Sequence, residues 1–338
     1  MARANDHAAR GRIRLDDPVL DRYLEFVESR ARHNTVVATA SDLKAFFTVI
    51  NKAPSEVAPA DVLAFIAEQR KPKGDGTVIR LIDGEAGLSA RTIKRRLSSL
   101  SGLFGYLVLC GEIERNPVPR SLATRRPGTK GPALIRSPRT LPRILSPDEV
   151  HALLAALRTH RDRAMVQAML LGGLRCCEVL GLRMEDLRPG ENQVFVANGK
   201  GGHQRLVPMS ARFFSSLASY FETERPTAST TEYVFVALKG ERRGQRLGDD
   251  GLEKIVVNAK GRAGLSHCTC HELRHTCLTR LREAGMALEA IQAQAGHRSL
   301  ETTRLYLHLA NDWLAAEYLR AAAVIDTSAA EILEAVAR

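Results

Sequence analysis

The chain has 338 residues and a formal net charge of +11, from 49 lysines and arginines against 38 acidic residues. That length exceeds one ordinary domain and allows two cores, and the cationic excess favours a polyanionic partner. No apolar run approaches the roughly 18 residues of a membrane span, and the leading MARANDHAARGRIRLDD lacks the apolar centre of a secretory signal, so a cytoplasmic setting without membrane partners is expected.

Residues 1–14 read as a flexible basic leader. From Pro18, apolar residues at Leu20, Tyr23, Leu24, Phe26 and Val27 follow helical spacing, and a second helical run covers Val36 to Ile50 before Asn51 and Pro54 break it. Pro59 opens a third helix with a stripe of Val62, Leu63, Phe65 and Ile66, closed by Lys71-Pro72. KPKGDGTVIRLIDGEAG reads as a loop or small hairpin. A fourth helix starts at Ser89 and carries Arg91, Lys94, Arg95 and Arg96, with Ile93, Leu97, Leu100 and Leu103 behind them. A basic face backed by an apolar one suits a helix lying on phosphates, although a charge run is also an ordinary solvated face. These segments make residues 15–112 one helical domain.

Residues 113–144 read as a linker. Between 115 and 143 there is no Asp or Glu, while six prolines alternate with cations that include Arg125, Arg126 and Lys130. Proline resists collapse into helix, and one-sign charge tracks a phosphate backbone.

A second domain, residues 145–326, opens at Ser146-Pro147, a helix cap followed by a favoured first residue. Another helix from Arg161 to Leu171 ends at Gly172-Gly173, and Arg175 then stands at the turn into a further helix with Glu178 one turn on. NQVFVANGKGGHQRLVPM alternates as two strands around a turn that puts Lys200 at the tip. TEYVFVAL is a third strand or a buried segment, and a basic loop with Arg242 and Arg243 leads to a helix from Leu252 to Gly261. Residues 327–338 form a helical tail.

The richest stretch runs from His267 to His308. His271, Arg274 and His275 share a helical spacing, His297 follows an Ala-Gly step, and Tyr306 comes nine positions later. A guanidinium, imidazoles and a phenol suit work on a phosphate. His271 to His275 also fits H-E-x-x-H, the helical zinc-hydrolase signature, but Leu278 occupies the glycine position of its extended form. The six cysteines do not form the paired C-x-x-C spacing of a zinc module, and no convincing metal cage or Walker loop is present in the sequence, so no metal or cofactor motif is read from it.

Taken together, these residues resemble the tyrosine recombinases of the phage-integrase family, from about residue 17 to the end. GLRCCEVLGL, HELRHT and GHRSLETTRLYLH carry the likeness: an arginine in G-x-R-x-x-E, a hairpin lysine, H-x-x-R, G-H and a tyrosine, in that order. Ala295 stands where the family commonly has leucine, and Cys277 where it has a larger apolar residue; neither removes a reactive group.

The resemblance implies an α-helical, SAM-like core-binding domain, a basic linker, and a mostly α catalytic α+β domain with a small antiparallel sheet, closing on DNA as a C-shaped clamp. It implies Arg175 and Arg274 as a phosphate clamp, Tyr306 as nucleophile, His271 as general base, Lys200 as proton donor to the leaving oxygen, His297 as a phosphate contact, and Glu178 as a support for Arg175 or Lys200. Arg91, Lys94, Arg95, Arg96, Arg125, Arg126, Lys130, Arg242 and Arg243 become the expected DNA contacts. The implied setting is bacterial or phage-encoded and nucleoid-associated. The implied partners are a double-stranded recombination site, three further copies in a homotetramer, with the tail docking on the next subunit or folding back in cis, and accessory DNA-bending or directionality proteins. Integration or transposition of a mobile element is the first reading of its role. Chromosome-dimer resolution is second, because such resolvases tend to be shorter and lack an insertion like residues 71–88; a type IB topoisomerase and a silent DNA-binding accessory protein are further alternatives.

Overall fold

A computed structural model describes residues 13–31, 33–72, 87–119, 134–136, 143–197, 204–297 and 303. The chain divides into two compact units, Met1–Arg139 and Thr140–Arg338. Among the described residues no helix is long and apolar enough to cross a membrane.

The first unit is helical: α1 (Pro18–Arg30), α2 (His33–Ile50), α3 (Pro59–Arg70) and α4 (Ala90–Leu109). Asp17 starts α1 by accepting the amide hydrogens of Val19 and Leu20, each at 2.9 Å, and Ser89 starts α4 by accepting that of Thr92 at 3.1 Å. Leu20, Tyr23, Leu24 and Val27 form the buried stripe of α1, and Phe46 of α2 meets Phe65 and Phe104 edge-on at the centre of the core. On α3 the buried stripe is narrower than its apolar pattern, since Val62 and Phe65 are inside while Leu63 is 49% exposed. One helical face spans about 100°, which four apolar residues in a row of five exceed.

The basic run on α4 is not one uniform face. Asp42 of α2 is buried, and it accepts hydrogen bonds from Arg95 Nη1 at 2.7 Å and Ser99 Oγ at 2.8 Å, with Arg96 Nε at 3.7 Å. Arg96 also donates to Gln69 at 2.9 Å, so it serves the helix packing, while Arg91 and Lys94 stay exposed. Asp42→Ala removes the carboxylate that both arginines share. Because Arg95 is half exposed and can be rehydrated, the expected loss is about 2–3 kcal/mol, at the low end for a broken buried pair. A urea midpoint unchanged in that variant would contradict this account.

The proline-rich segment is more than a spacer. Val118 and Ile135 are both buried in the first unit's core. Residues 120–133, with Arg125, Arg126 and Lys130, lie outside the described residues, as do 73–86, expected as a loop or small hairpin, and 327–338, expected as a helical tail.

The second unit is mixed. Its helices are α5 (Pro147–Ala155), α6 (His160–Gly172), α7 (Cys176–Leu180), α8 (Ala211–Thr223), α9 (Asp249–Arg262), α10 (Cys270–Glu283) and α11 (Leu288–Ala295). Ser146 and Glu149 cap α5 reciprocally. Helix α6 is buried nearly all round and packs against α8 and α10, so it is the spine of this unit. Strands β1 (Leu187–Arg188), β2 (Gln193–Val196) and β3 (Arg205–Pro208) form an antiparallel sheet in that order, with Val194 opposite Val207 and Val196 opposite Arg205.

The sheet's third strand is therefore Leu187–Arg188, not TEYVFVAL. Tyr233, Val234, Phe235 and Val236 are buried as an irregular segment. Its backbone is satisfied piecemeal: Val234 donates to Leu182 O at 2.9 Å, Phe235 O accepts from Leu247 at 3.1 Å, and the Tyr220 hydroxyl donates to Val234 O and accepts from Val236 N–H. An apolar run must be buried and hydrogen-bonded, and loops supply those bonds here as well as a ladder would.

Candidate active site

The centre of the site is a carboxylate. Helix α6 stops at Gly172, Gly173 takes a left-handed turn (φ +66°), and Arg175 caps the short α7. One turn into α7, Glu178 reaches back, its Oε2 accepting the Arg175 backbone N–H at 2.9 Å. Its side chain is fully buried, yet it is surrounded by guanidinium groups. Arg175 Nη1 donates to Oε1 at 2.6 Å, Arg205 Nη1 and Nη2 donate to Oε1 at 3.0 Å and to Oε2 at 2.9 Å, and Arg274 Nη1 stands 4.0 Å from Oε2. Burial by itself pushes the Glu178 carboxyl pKa up. The bonds and charge of Arg205, then the amide and guanidinium of Arg175, outweigh it and hold the group below the ordinary carboxylate value. Three guanidinium groups against one carboxylate leave the site strongly cationic.

Helix ends supply the rest of the frame. The last carbonyls of a helix have no intrahelical donor and sit at the negative end of its dipole, so arginines are favoured there. Arg274, buried on α10, donates to Gly173 O at the end of α6 and to Ala295 O at the end of α11, the latter at 2.7 Å. Arg175 donates to Gly296 O at 3.2 Å, and Arg205 Nε to Gln294 O at 3.1 Å. Gly296 is itself left-handed (φ +61°), and a Cβ there would come within 2.9 Å of Arg205 Nη1. The glycine before His297 thus ends α11 and makes room for a guanidinium.

His297 stands with its Nε2 3.1 Å from Arg274 Nη2 and its Nδ1 3.0 Å from the buried hydroxyl of Thr303. Arginine only donates, so Nε2 accepts and the ring proton lies on Nδ1, toward Thr303. Burial, then the charges of Arg274 and Arg175, lower the His297 pKa to about 4. On α10, exposed His271 and buried His275 are one turn apart with rings edge-to-face at 4.2 Å. Burial, then His271 and Arg274, lower the His275 pKa to about 4. Among the described residues no three metal-ligating side chains are gathered.

These two rings make a pH prediction. Each has an ordinary pKa of 6.5 and a folded value of about 4, so between those limits the unfolded chain binds more protons than the folded one. Stability is therefore expected to be full above pH 6.5 and to fall as the pH drops toward 4, by on the order of 1–3 kcal/mol per ring. Thermal melting across that range tests it, and His275→Gln is expected to flatten the slope.

Of the residues singled out from sequence, the fold brings Arg175, Glu178, Arg274 and His297 together, and His271 lies on the helix that carries Arg274. Arg242 and Arg243 are exposed on their loop. Lys200 and Tyr306 lie outside the described residues. Sequence reasoning passed over Arg205 and Thr303. The signal for Arg205 was its register: it lies two positions before buried Val207, a charge on the inward face of a strand.

The chain is similar to known proteins along most of its length. The model of the phage integrase family matches residues 143–312, and that of the phage integrase N-terminal SAM-like domain matches residues 20–111. Tyrosine recombinase XerC of Roseiflexus castenholzii is 30% identical over 312 residues, covering 84% of this chain and 89% of that protein. The chain belongs to the phage-integrase family of tyrosine recombinases. As a member it is a tyrosine-type recombinase built from a helical SAM-like domain and a mixed catalytic domain. Two solved structures share this recombinase fold. One is the XerH site-specific recombinase bound to palindromic difH substrate in a post-cleavage complex (TM-score 0.62, 21% identity, 89% of this chain and 84% of that one). The other is a lambda integrase tetramer bound to a Holliday junction (TM-score 0.59, 21% identity, 83% of this chain and 76% of that one).

Proposed function

We propose that this tyrosine recombinase cuts and rejoins duplex DNA at a specific site through a 3′-phosphotyrosyl intermediate and a Holliday junction, acting as a tetramer. The observation that carries the reading is the guanidinium cluster around Glu178, with Arg274 braced by two helix ends and His297. In a phosphodiester displacement charge builds on the non-bridging oxygens, and preorganised N–H donors in a half-buried site stabilise it. Arg175 and Arg274 supply those donors. Tyr306 attacks phosphorus after His271 takes its proton, the bond to the 5′-oxygen breaks, and Lys200 protonates that oxygen. The free 5′-hydroxyl of a partner strand reverses the step. His297 first accepts from Arg274. Donation to a phosphate oxygen then needs its proton moved from Nδ1 to Nε2, which the Thr303 hydroxyl, both donor and acceptor, permits.

Of the two roles weighed from sequence, chromosome-dimer resolution is favoured over integration of a mobile element. The XerC relative aligns over most of both chains, so chain length no longer counts against resolution. Exposed Arg91, Lys94, Arg242 and Arg243 are proposed to face phosphates, as are Arg125, Arg126 and Lys130 of the proline-rich segment, in a clamp of the two domains. Arg95 and Arg96 are proposed to do so only in part, because Asp42 holds them.

The test of the reaction is covalent trapping in EDTA. A duplex is selected by the wild-type chain from a random-sequence pool and nicked beside the cut, so that cleavage releases a short strand and cannot reverse. A denaturing gel is expected to show a protein–DNA band; specific binding without any band would sink the enzymatic reading. Role is tested on a supercoiled plasmid bearing two direct copies of the selected site. Resolution into two circles without further proteins favours the resolvase.

A further inference from the structure

We propose that Arg205 is a positioning residue for strand cleavage: by gripping both carboxylate oxygens of Glu178 from below, it leaves Arg175 attached through one oxygen and available to phosphate. The inference rests on the assignment of Arg175 as part of the phosphate clamp.

An ionised carboxylate offers about four lone-pair sites. Glu178 fills four: Oε1 takes Arg175 Nη1 and Arg205 Nη1, and Oε2 takes the Arg175 backbone N–H and Arg205 Nη2. Arg205 is locked in turn by its Nε bond to Gln294 O and by close packing under Gly296, and its side chain is only 11% exposed. Gln294 donates to both Gly172 O and Pro208 O, tying the same carbonyl strand to the ends of α6 and β3. Arg175, 20% exposed, spends one N–H on Glu178 and one on Gly296 O, so most of its fork has no partner among the described residues.

Without Arg205, two lone-pair sites on Glu178 open. Arg175 can then turn into a bidentate pair with that carboxylate, the preferred geometry for the two groups. A guanidinium so paired is neutralised and must be pulled away before it can meet phosphate. Arg205 thus prevents the carboxylate that orients Arg175 from capturing it.

The test uses the full chain and the selected nicked duplex, with Arg205→Met, Arg205→Lys, Arg175→Lys and the Arg205→Met/Arg175→Lys double variant. Cleavage rate, DNA affinity and melting temperature are read for each. Arg205→Met is expected to cleave about 10- to 100-fold more slowly, the range for an outer partner that orients a charged group, with affinity nearly unchanged. On a duplex whose scissile phosphate is replaced by neutral methylphosphonate, that deficit is expected to shrink to about threefold, because the charge that Arg175 meets is gone. The double variant is expected to be no slower than Arg175→Lys alone, since both changes break one unit. Should Arg205→Met fail to fold, Arg205→Lys carries the test, because it retains the charge and one bond but not the fork. Cleavage at the wild-type rate, an equal deficit on both duplexes, or full additivity with Arg175→Lys overturns the proposal. If Arg175→Lys itself cleaves normally, the clamp assignment falls and the inference with it, and the two failures are told apart by which single variant is silent.

Discussion

Tyr306→Phe is expected to bind the selected duplex as wild type does and to form no covalent adduct at all. The change removes one oxygen atom. Affinity for DNA comes mainly from cations that release counterions from phosphates, and none of these is touched. Covalent chemistry, by contrast, has no other route in the proposed reaction, because the phenol oxygen is the atom that joins phosphorus. Phenylalanine therefore separates binding from chemistry more sharply than any change among the cations. Wild type and variant are run side by side on the nicked duplex in EDTA, with affinity measured by anisotropy. An adduct in the variant would identify another nucleophile, and a band in wild type that requires added metal would contradict the expected chemistry.

Arg175→Lys is expected to lose about 10²–10³-fold in cleavage rate, the scale for removing one preorganised donor from a developing oxyanion, while retaining most DNA affinity. Charge is conserved in this variant, so long-range attraction to DNA is not at issue. What is lost is the fork. Arginine reaches Glu178 and Gly296 O from one planar group and, in the proposed reaction, turns its remaining N–H groups to phosphate, whereas an ammonium is a point charge that Glu178, fully buried and ionised, would hold for itself. Single-turnover cleavage measures the loss, and a rate within about threefold of wild type would show that the guanidinium plane does not matter.

Much of the local structure was readable before the fold was known. Ser89 and Ser146 mark helix starts that the structure places within a residue, because a capping oxygen acts on an amide three positions away. Gly173 was visible as a stop for the same reason: a left-handed turn is a property of one residue. Leu63 and the TEYVFVAL segment were less legible. Apolar pattern says that a residue tends to be buried, but which side faces a neighbour, and whether loops or strands satisfy a buried backbone, depends on chain brought from elsewhere.

The candidate site divides along the same line. By itself the sequence determined the family and a set of reactive residue types in order, since G-x-R-x-x-E, H-x-x-R, G-H and tyrosine are short, local and chemically distinctive. Only the tertiary structure decided that Glu178 is shared by Arg175 and Arg205, that Arg274 is braced by the ends of α6 and α11, that His297 carries its proton toward Thr303, and that Arg95 and Arg96 lean on Asp42. The physical reason is range. Capping and turn formation act over three or four residues of chain, whereas the Arg274–Ala295, Glu178–Arg205 and Arg175–Gly296 contacts join residues 21, 27 and 121 positions apart, and nothing in the local pattern encodes which distant partner arrives.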